Sequence, residues 1–360
     1  MNILHVSSAK SWRGGEQQLV NLIHGLNDLK VRNHLLCPKD APLANYAFND
    51  QCYIHTYLKL SSYNPVTSIK ILTLSRRHQF DFIHVHDSHS HNYAITAASM
   101  GMKTPIIVSR KVDFPTTSRS KYNHSAIAAI ICVSDHVREI LDPIFKRKNK
   151  LYVVHDSVDL NKKMELSNSL KTKYNIADHS IVVANISALA DHKDPVTFLN
   201  TAKYLEEHHD EHSFAFLIIG PDAGKEKELK IFSQNLKFKS KVIFTGFLPD
   251  AHQHLNEIDL FLFTSKEEGM GSTLLDAMLY GVPIVSTDAG GIRELIKHGY
   301  NGLTANVKAP HDLAEHVIKI LKDQELKNEL IKNGYIVADS HSILKMAEET
   351  LLIYQDQLLK

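Results

Sequence analysis

The 360-residue chain alternates short apolar runs with longer stretches in which apolar residues recur at helical spacing. Short runs rich in β-branched and aromatic residues predict buried strands, and the stretches between them predict helices. One helical pattern covers Glu16–Leu29, where Leu19, Leu22, Ile23 and Leu26 would share a face. In the first half we predict strands at Ile3–Ser7, Val31–Cys37, Phe82–His86, Ile106–Ser109, Ala129–Val133 and Leu151–Val154.

A polar segment, Asp159–Asp178, interrupts the alternation, which then begins again. In the second half we predict strands at Ile181–Ile186, Phe214–Ile219, Val242–Phe244, Leu260–Thr264 and Pro283–Ser286, and helices at Pro195–Glu206, Ser272–Leu279 and Leu313–Leu321. Such alternation predicts a parallel sheet with helices on both faces. We therefore expect an α/β protein of two doubly wound domains joined near residues 165–175. Because ligands bind beyond the carboxyl ends of parallel strands, we expect the site in the cleft between the domains.

The composition is that of a folded protein, with 43% hydrophobic and 22% charged residues, which excludes disordered and collagen-like classes. Three scattered cysteines, Cys37, Cys52 and Cys132, argue against a disulfide scaffold or a thiolate metal site and fit a reducing cytoplasm. The first residues do not resemble a signal peptide, and no apolar run approaches the roughly 18 residues of a membrane span. We expect a cytoplasmic protein that at most lies on a membrane.

The formal charge of +1 hides a difference between the two halves of the chain. Residues 1–165 carry 21 Lys+Arg and 13 Asp+Glu, a balance of +8, whereas residues 166–360 carry 20 and 27, a balance of −7. Chance distribution over two surfaces is one interpretation. The other is that the basic half meets an anionic partner, such as a lipid headgroup or a phosphorylated glycan.

The segment richest in candidate chemistry follows the predicted strand Leu260–Thr264. Glycines at 269 and 271 would let the backbone approach a ligand, and a helix starting near Ser272 would offer free N–H groups to a diphosphate. Glu268 on the loop and Asp276 one turn into the helix are acceptors suited to sugar hydroxyls. The alternative is that Ser272 is an N-cap and both carboxylates are solvated.

This segment belongs to an ordered succession of motifs. The motifs are Ala277–Pro283, Asp288–Glu294, Gly299–Leu303, Ile218–Pro221 and Val242–Phe247, preceded in the first half by Gly14–Glu16, Asp81–His86, Val133-Ser134 and Val154–Asp159. The succession resembles glycosyltransferase family 4, the retaining GT-B class called glycosyl transferases group 1. The resemblance implies two Rossmann-like doubly wound domains facing across a cleft. Residues 1–165 would be the acceptor-binding domain, 166–341 the nucleotide-sugar-binding domain, and 342–360 a helix crossing back to the N-terminal domain.

The resemblance also implies roles for individual residues. We expect Glu268 to contact the donor sugar, His86 to touch the donor sugar or the acceptor, and Lys193 to grip the leaving diphosphate. These three are the expected catalytic residues. The expected donor-binding residues are Gly14, Gly15, Arg110, Gly220, Phe247, Leu248, Gly269, Met270, Gly271, Ser272, Thr273 and Asp276.

Two positions depart from the family pattern. Asp276, expected to hold the ribose hydroxyls, stands where the family usually has Glu, which shortens its reach by one methylene. Ala188 stands where the family usually has an Arg that grips the diphosphate, a loss worth about 1.5–3 kcal/mol unless another group replaces it. Arg110 and Lys111, which follow a strand of the first half, are the candidate replacements.

Gly14 and Gly15 follow the first predicted strand, where side chains would obstruct the approach of a phosphate. A plain turn also explains a Gly-Gly pair. The position at a strand end favours a ligand-facing loop. Trp12 and Arg13 beside the pair would then shape the acceptor side.

The histidine-rich run that begins at His84 has two interpretations. His84 and His86 would share a strand face, followed by Asp87, His89 and His91, which is a possible metal-ligand set. However, clustering is less surprising in a chain with 23 histidines. The resemblance favours His86 as a substrate-facing residue and His84 as a structural one, so we expect no metal.

The resemblance therefore implies a retaining glycosyltransferase, and we expect it to be metal-independent and to need no cofactor. It would move a sugar from a UDP- or GDP-linked donor to a glycan or lipid-linked acceptor in cell-surface polysaccharide or lipopolysaccharide synthesis. The basic first half favours an anionic acceptor and peripheral contact at the inner face of the cytoplasmic membrane, and no nucleic-acid partner is expected. The alternatives are an epimerase or phosphorylase on the same fold, or a catalytically silent nucleotide-sugar binder prompted by Ala188 and Asp276.

Overall fold

The structure is a computed structural model, and it describes residues 1–48, 52–59, 64–161, 169–249 and 251–359. The chain divides into two compact units. Unit 1 comprises Met1–Asp159 and His341–Lys360, and unit 2 comprises Leu160–Ser340. The domain boundary predicted between residues 165 and 166 lies outside the described residues. No helix in the described part of the chain is long and apolar enough to cross a membrane.

Unit 1 is built on a parallel sheet of seven strands. The strands are β1 (Asn2–Val6), β2 (Arg32–Pro38), β3 (Cys52–Tyr57), β4 (Phe82–Val85), β5 (Ile106–Arg110), β6 (Ile127–Cys132) and β7 (Leu151–Val153). The first helices are α1 (Gly14–Asp28), α2 (Pro65–His78), α3 (Ser88–Ser99), α4 (Arg119–Tyr122) and α5 (Asp135–Leu141). The strand order is β3-β2-β1-β4-β5-β6-β7, so β3 is an edge strand.

Unit 2 is built on a second parallel sheet, of six strands. The strands are β8 (Ile181–Ile186), β9 (Phe214–Ile219), β10 (Lys241–Gly246), β11 (Leu260–Phe263), β12 (Ile284–Thr287) and β13 (Leu303–Ala305). The helices are α6 (Leu170–Lys173), α7 (Pro195–His208), α8 (Glu226–Asn235), α9 (Ser272–Leu279), α10 (Ile292–Leu295), α11 (Pro310–Lys322) and α12 (Gln324–Asp339). The strand order is β10-β9-β8-β11-β12-β13. The last helix, α13 (Ile343–Leu358), belongs to unit 1.

The core of unit 1 is closed by two helices that lie far apart in sequence. Leu22 and Leu26 of α1 pack with Phe82 of β4, and α13 joins the same cluster through buried residues. At Gly25 of α1 an added Cβ would lie 2.6 Å from the Cβ of Ala347 in α13. The two helices therefore touch backbone to backbone, and only glycine fits at that point.

The core of unit 2 lies mainly between its sheet and the helices α7 and α11. Phe198 of α7 and Leu313 of α11 are fully buried in one cluster with Phe216 and Leu262 of the strands. The alternate strand residue Phe261 is also fully buried, so both faces of this sheet are covered. Burial on both faces explains why these strands are nearly continuous apolar runs.

The predicted architecture of two parallel α/β domains is confirmed. The predicted strand Ile181–Ile186 and the predicted helix Ser272–Leu279 match the structure at both ends, and the other predicted elements differ at their ends by at most a few residues. Two strands were missed. The edge strand β3 carries polar, half-exposed residues, and β13 has only three residues, so neither forms a clear apolar run.

Candidate functional site

In unit 2 the predicted site residues follow four strands that are neighbours in the sheet. Phe247 and Leu248 follow β10, Gly220 follows β9, Lys193 follows β8, and Glu268 follows β11. Because all these strands are parallel, their carboxyl ends lie along one edge of the sheet. The structure therefore brings the predicted donor-binding positions of unit 2 to one edge.

The turn that carries Lys193 is tied to the loop after β11. Thr264 donates a hydrogen bond through its hydroxyl to the Asp194 carbonyl oxygen at 3.0 Å, and the Lys266 N–H donates to the His192 carbonyl at 2.8 Å. Asp194 caps α7 by accepting from the Thr197 backbone N–H at 3.3 Å, and it also accepts from the Thr197 hydroxyl at 2.7 Å. These bonds fix the backbone from which the Lys193 side chain extends.

Lys193 and Glu268 form an ion pair at this edge. The Lys193 ammonium contacts Oε2 of Glu268, and the Ser265 hydroxyl donates to the same oxygen at 3.3 Å. The ammonium also lies 5.6 Å from the centre of the Phe263 ring. The side chains are 19% and 12% exposed, so both remain accessible to a ligand while they neutralise each other. An ammonium suits a phosphate and a carboxylate suits sugar hydroxyls.

The glycine loop leads directly into α9. Gly271 is the N-cap, with φ of +90°, so the left-handed backbone there favours glycine. A Cβ at this position would also lie 3.0 Å from Leu274. The helix starts with no side-chain cap and no acidic residue in its first turn. The interpretation of Ser272 as an N-cap is thus wrong, and the N–H groups at the helix start form an anion-binding geometry.

The predicted donor-binding residue Gly220 is tightly packed. Gly220, with φ of +154°, packs so closely on the loop after β8 that a Cβ would overlap the Ser187 carbonyl group. Glycine is thus required there by packing, next to Ala188.

The other predicted donor-binding residues differ in exposure. Asp276 is half-buried one turn into α9. Met270 is buried, whereas Phe247 is 52% exposed and is available to a ligand.

In unit 1 the carboxylate of Asp87 is fully used by the fold. It accepts hydrogen bonds from the backbone N–H and hydroxyl of Ser8, at 2.6 and 2.5 Å. It also caps α3 by accepting from the N–H groups of His89 and Ser90 at 2.9 Å. Asp87 therefore locks the end of β1 to the start of α3, which explains its place in the His-rich run.

The hydrogen bonds around His86 set its tautomer. The Asn33 amide nitrogen donates to Asn27 at 2.7 Å and to the Val31 carbonyl at 3.0 Å, so its oxygen faces His5 Nε2, 3.0 Å away. His5 Nε2 therefore carries the proton. Burial lowers the pKa of His5 to about 4, so its ring is neutral and its Nδ1 is a bare acceptor.

His86 must then donate to His5, because its Nε2 lies 3.0 Å from that bare Nδ1. Burial, with the neighbouring His84, holds the pKa of His86 well below its usual range, so this ring is also neutral. The second nitrogen of His86, Nδ1, is thus an acceptor. Within the described residues this atom is buried and has no hydrogen-bond partner.

His84, predicted to be structural, is fully buried in the fold of unit 1. Its Nδ1 lies 2.6 Å from the Tyr354 hydroxyl of α13, and its Nε2 lies 2.8 Å from the Ser109 hydroxyl of β5. Burial holds its pKa well below the usual range. Both ring nitrogens are therefore occupied by neighbours that hold the sheet and α13 together.

Gly14 and Gly15 lie in the first turn of α1, not in a loop as predicted. Both are exposed, and nothing lies within 4 Å of a Cβ at Gly15. Glu16 reaches back to accept from the Arg13 backbone N–H at 3.0 Å, which closes the helix start. Burial raises the pKa of Glu16 to about 7. The pair is helical because this cap starts the helix two residues earlier than the apolar pattern indicates.

Arg110 and Lys111, the candidate replacements for an arginine at Ala188, both have partners inside unit 1. The buried Arg110 guanidinium donates to the Tyr122 hydroxyl at 2.5 Å and to the Phe114 carbonyl. Lys111 forms an ion pair with Asp156. The described residues offer no hydrogen-bond partner to the buried Nε of Arg110.

His5 and Asn33 were not singled out from the sequence. They come from two different strands and meet only through the register of β1 and β2. Neither residue belongs to a local motif. The only signal in the sequence was their place within predicted strands beside the His-rich run.

Two family models match the chain. "Glycosyltransferase Family 4" matches residues 12–162, and "Glycosyl transferases group 1" matches residues 167–337. A relative from Escherichia coli, the UDP-Gal:alpha-D-GlcNAc-diphosphoundecaprenol alpha-1,3-galactosyltransferase, is 23% identical over 347 residues, which cover 91% of this chain and 89% of that protein. The N,N'-diacetylbacillosaminyl-diphospho-undecaprenol alpha-1,3-N-acetylgalactosaminyltransferase of Campylobacter jejuni is 26% identical over 69% of this chain and 65% of that protein.

Solved structures give the same fold. Anabaena HepE in complex with UDP and glucose is similar with a TM-score of 0.83 at 18% identity, covering 99% of this chain and 100% of that one. Sucrose-phosphate synthase from Thermosynechococcus elongatus has a TM-score of 0.83 at 13% identity, with 99% of both chains covered. Since the two family models together span residues 12–162 and 167–337, the chain belongs to glycosyltransferase family 4 and is a glycosyltransferase of the GT-B fold.

Proposed function

We propose that this glycosyltransferase moves a hexose from a uridine diphosphate sugar to a hydroxyl of a lipid-diphosphate-linked glycan, with retention at the anomeric carbon. The observation that carries the proposal is the Lys193–Glu268 pair beside the uncapped start of α9. The choice of donor is supported by the UDP-Gal named for the E. coli relative and by the UDP bound to HepE. The acceptor class is supported by the undecaprenol-linked acceptors named for the E. coli and C. jejuni relatives.

Unit 2 would stabilise the leaving group of the reaction, the nucleoside diphosphate. The bond between the anomeric carbon and the diphosphate oxygen breaks as the acceptor oxygen bonds to that carbon from the same face. The acceptor proton passes to the departing diphosphate, so the products are a glycoside and the nucleoside diphosphate. Lys193 and the N–H groups near Gly271 would stabilise the charge that grows on the diphosphate.

Side chains that accept hydrogen bonds would hold the substrates in place. When Lys193 binds the diphosphate, it no longer pairs with Glu268. The Glu268 carboxylate would then accept hydrogen bonds from hydroxyls of the donor sugar. The bare Nδ1 of His86 would accept from a substrate hydroxyl, and Asn33 and His5 keep that nitrogen unprotonated. Asp276, with its reach shortened by one methylene, would bind the ribose.

We propose that the reaction needs no divalent metal or other cofactor. The charge of a diphosphate would be met by the Lys193 ammonium and by the start of α9, without an arginine at Ala188. The basic balance of residues 1–165 would favour an anionic acceptor at the inner face of the cytoplasmic membrane.

The test combines binding and turnover. Purified protein is mixed with UDP, GDP and ADP, with and without EDTA, and its melting temperature is recorded. A nucleotide at 100 times its Kd should stabilise the protein by about 2.7 kcal/mol. We expect UDP alone to act, equally with EDTA, and we expect transfer from a UDP-hexose to an undecaprenyl-diphosphate-linked sugar that yields the α-anomer.

Lys193→Ala sharpens the test, with Lys230→Ala on the exposed surface of α8 as the matched control. We expect Lys193→Ala to lower kcat by about 10²–10³-fold, because one preorganised group facing the developing charge is lost. The control should retain full turnover. An inverted product or a strict requirement for metal would contradict the proposed mechanism.

A second candidate is a catalytically silent nucleotide-sugar binder, which the departures at Ala188 and Asp276 favour. This candidate predicts the same stabilisation by UDP but no transfer or hydrolysis with any acceptor. Turnover by the wild-type protein that Lys193→Ala lowers to the expected extent would exclude it.

A further inference from the structure

His5, His84 and His86 form one cluster of histidines in unit 1. A second histidine cluster lies on the opposite face of the sheet. His34 pairs in register with Leu4, the neighbour of His5, and successive strand residues point to opposite faces. The cluster joins His34 of β2, His55 of the edge strand β3 and His78, the last residue of α2. These three residues come from three separate elements, and no sequence motif links them.

The three imidazoles converge closely. His34 Nδ1 and His55 Nε2 are at hydrogen-bond distance, 3.0 Å, and the two rings are nearly parallel with their centres 5.4 Å apart. One ligand nitrogen from each of the three rings lies within 4.8 Å of the other two. A tetrahedral ion with metal–nitrogen bonds of about 2.0–2.1 Å needs nitrogen pairs roughly 3.4 Å apart. Small rotations of His55 and His78, both half-exposed, would reach that spacing.

The chemistry of the donor set selects the ion. Three imidazoles without a carboxylate suit late first-row transition metals and not Mg²⁺ or Ca²⁺. Burial, followed by the nearby His55 and His78, lowers the pKa of His34 to about 4, so this ring offers a lone pair at neutral pH. Arg32, Lys70 and Arg77 lie close enough to act on these rings electrostatically, which limits the affinity for a cation.

We propose that His34, His55 and His78 bind one Zn²⁺ ion, or a related late transition-metal ion, and thereby tie β3 and the end of α2 to β2. The site lies on the sheet face opposite to His5 and takes no part in sugar transfer, so it stands whether or not the proposed function holds. Its fourth position would be filled by water. The competing interpretation is a metal-free aromatic cluster, since the His34 ring also lies 4.8 Å from Tyr53 and 4.9 Å from Phe80.

The experiment uses the full chain without a histidine tag. Zn²⁺ is titrated against a chromophoric chelator, and Co²⁺ is added separately to record the visible spectrum of its coordination geometry. We expect one equivalent of tightly bound Zn²⁺, a tetrahedral Co²⁺ spectrum, and no effect of Mg²⁺. Zn²⁺ should also raise the melting temperature, because it binds only the folded state of the site.

Substitutions of single histidines test which residues bind the Zn²⁺ ion. His55→Gln and His78→Gln should each weaken Zn²⁺ binding at least about tenfold, while the exposed His208→Gln in unit 2 leaves it unchanged. Circular dichroism without metal verifies that each variant is folded. Binding that survives in His55→Gln and His78→Gln but is lost in His5→Gln would move the metal to the other cluster and overturn the proposal. Failure of the wild-type protein to bind Zn²⁺ below about 10 µM would overturn it as well.

Discussion

The helices α9 and α1 begin in similar ways in the two units, yet their first turns differ. Each follows a strand and has glycine at or beside its N-cap. In α9 no side chain caps the helix and no acid lies in the first turn. In α1 the carboxylate of Glu16 already reaches back to the Arg13 N–H.

This difference shows that glycine near a helix start is not sufficient to mark a phosphate site. What matters is whether a side chain of the protein already fills the place of the anion. The same distinction applies to the cations. Lys193 pairs with the half-buried Glu268 beside α9, whereas the Arg110 guanidinium has two partners inside unit 1.

Thr273→Glu would place an acidic residue in the first turn of α9, where α1 already has one. Of the three substitutions that test this comparison, it has the largest expected effect, a loss of UDP affinity. A carboxylate in the first turn should raise the stability of the helix slightly. It should also repel the diphosphate and weaken UDP binding at least about 30-fold, since like charges about 4 Å apart cost several kcal/mol near a protein surface. Calorimetric titration with UDP measures the binding, and Thr273→Gln is the uncharged control. Unchanged UDP affinity in Thr273→Glu would place the diphosphate elsewhere.

Arg110→Ala tests whether this cation serves the fold or the ligand. Because the guanidinium bonds Tyr122 and Phe114, its loss should lower the free energy of unfolding by about 1.5–3 kcal/mol. We expect UDP affinity to change less than threefold. The exposed Arg119→Ala controls for the loss of charge. A tenfold loss of UDP affinity at an unchanged melting temperature would instead assign Arg110 to the diphosphate, as the sequence suggests.

Glu16→Gln has the smallest expected effect and tests the occupied start of α1. The pKa of Glu16 is raised to about 7 in the folded state from 4.5, so the folded protein favours the protonated form. Its contribution to stability is therefore present below about pH 4.5 and is lost as the pH rises through 7. Gln keeps the hydrogen bond to Arg13 without the charge.

Urea unfolding at pH 5 and pH 8 measures the effect of Glu16→Gln. We expect the variant to gain stability over the wild type at pH 8 but not at pH 5. Glu139→Gln, at an exposed position of α5, should show no such difference. An equal effect of Glu16→Gln at both pH values would contradict the shifted pKa.

The fold was largely predictable because buried parallel strands are apolar on both faces and give clear runs. The placement of the unit 2 positions at one sheet edge was predictable for a related reason. They follow four parallel strands that give clear apolar runs, and Gly271 and Gly220 are required by the backbone itself. In unit 1 the chemistry depends on partners from distant strands, such as Asn33 beside His5. No local pattern encodes those contacts, so neither the tautomer of His86 nor the cluster around His34 could be predicted.

The bond between His84 and Tyr354 also bears on the order in which the protein folds during synthesis. Unit 2 is encoded between the two segments of unit 1, and Tyr354 lies beyond it. All of unit 2 is therefore synthesised before α13, and unit 1 lacks the helix that covers α1 until the chain is nearly complete. Unit 1 starts first along the chain, yet its core is completed last.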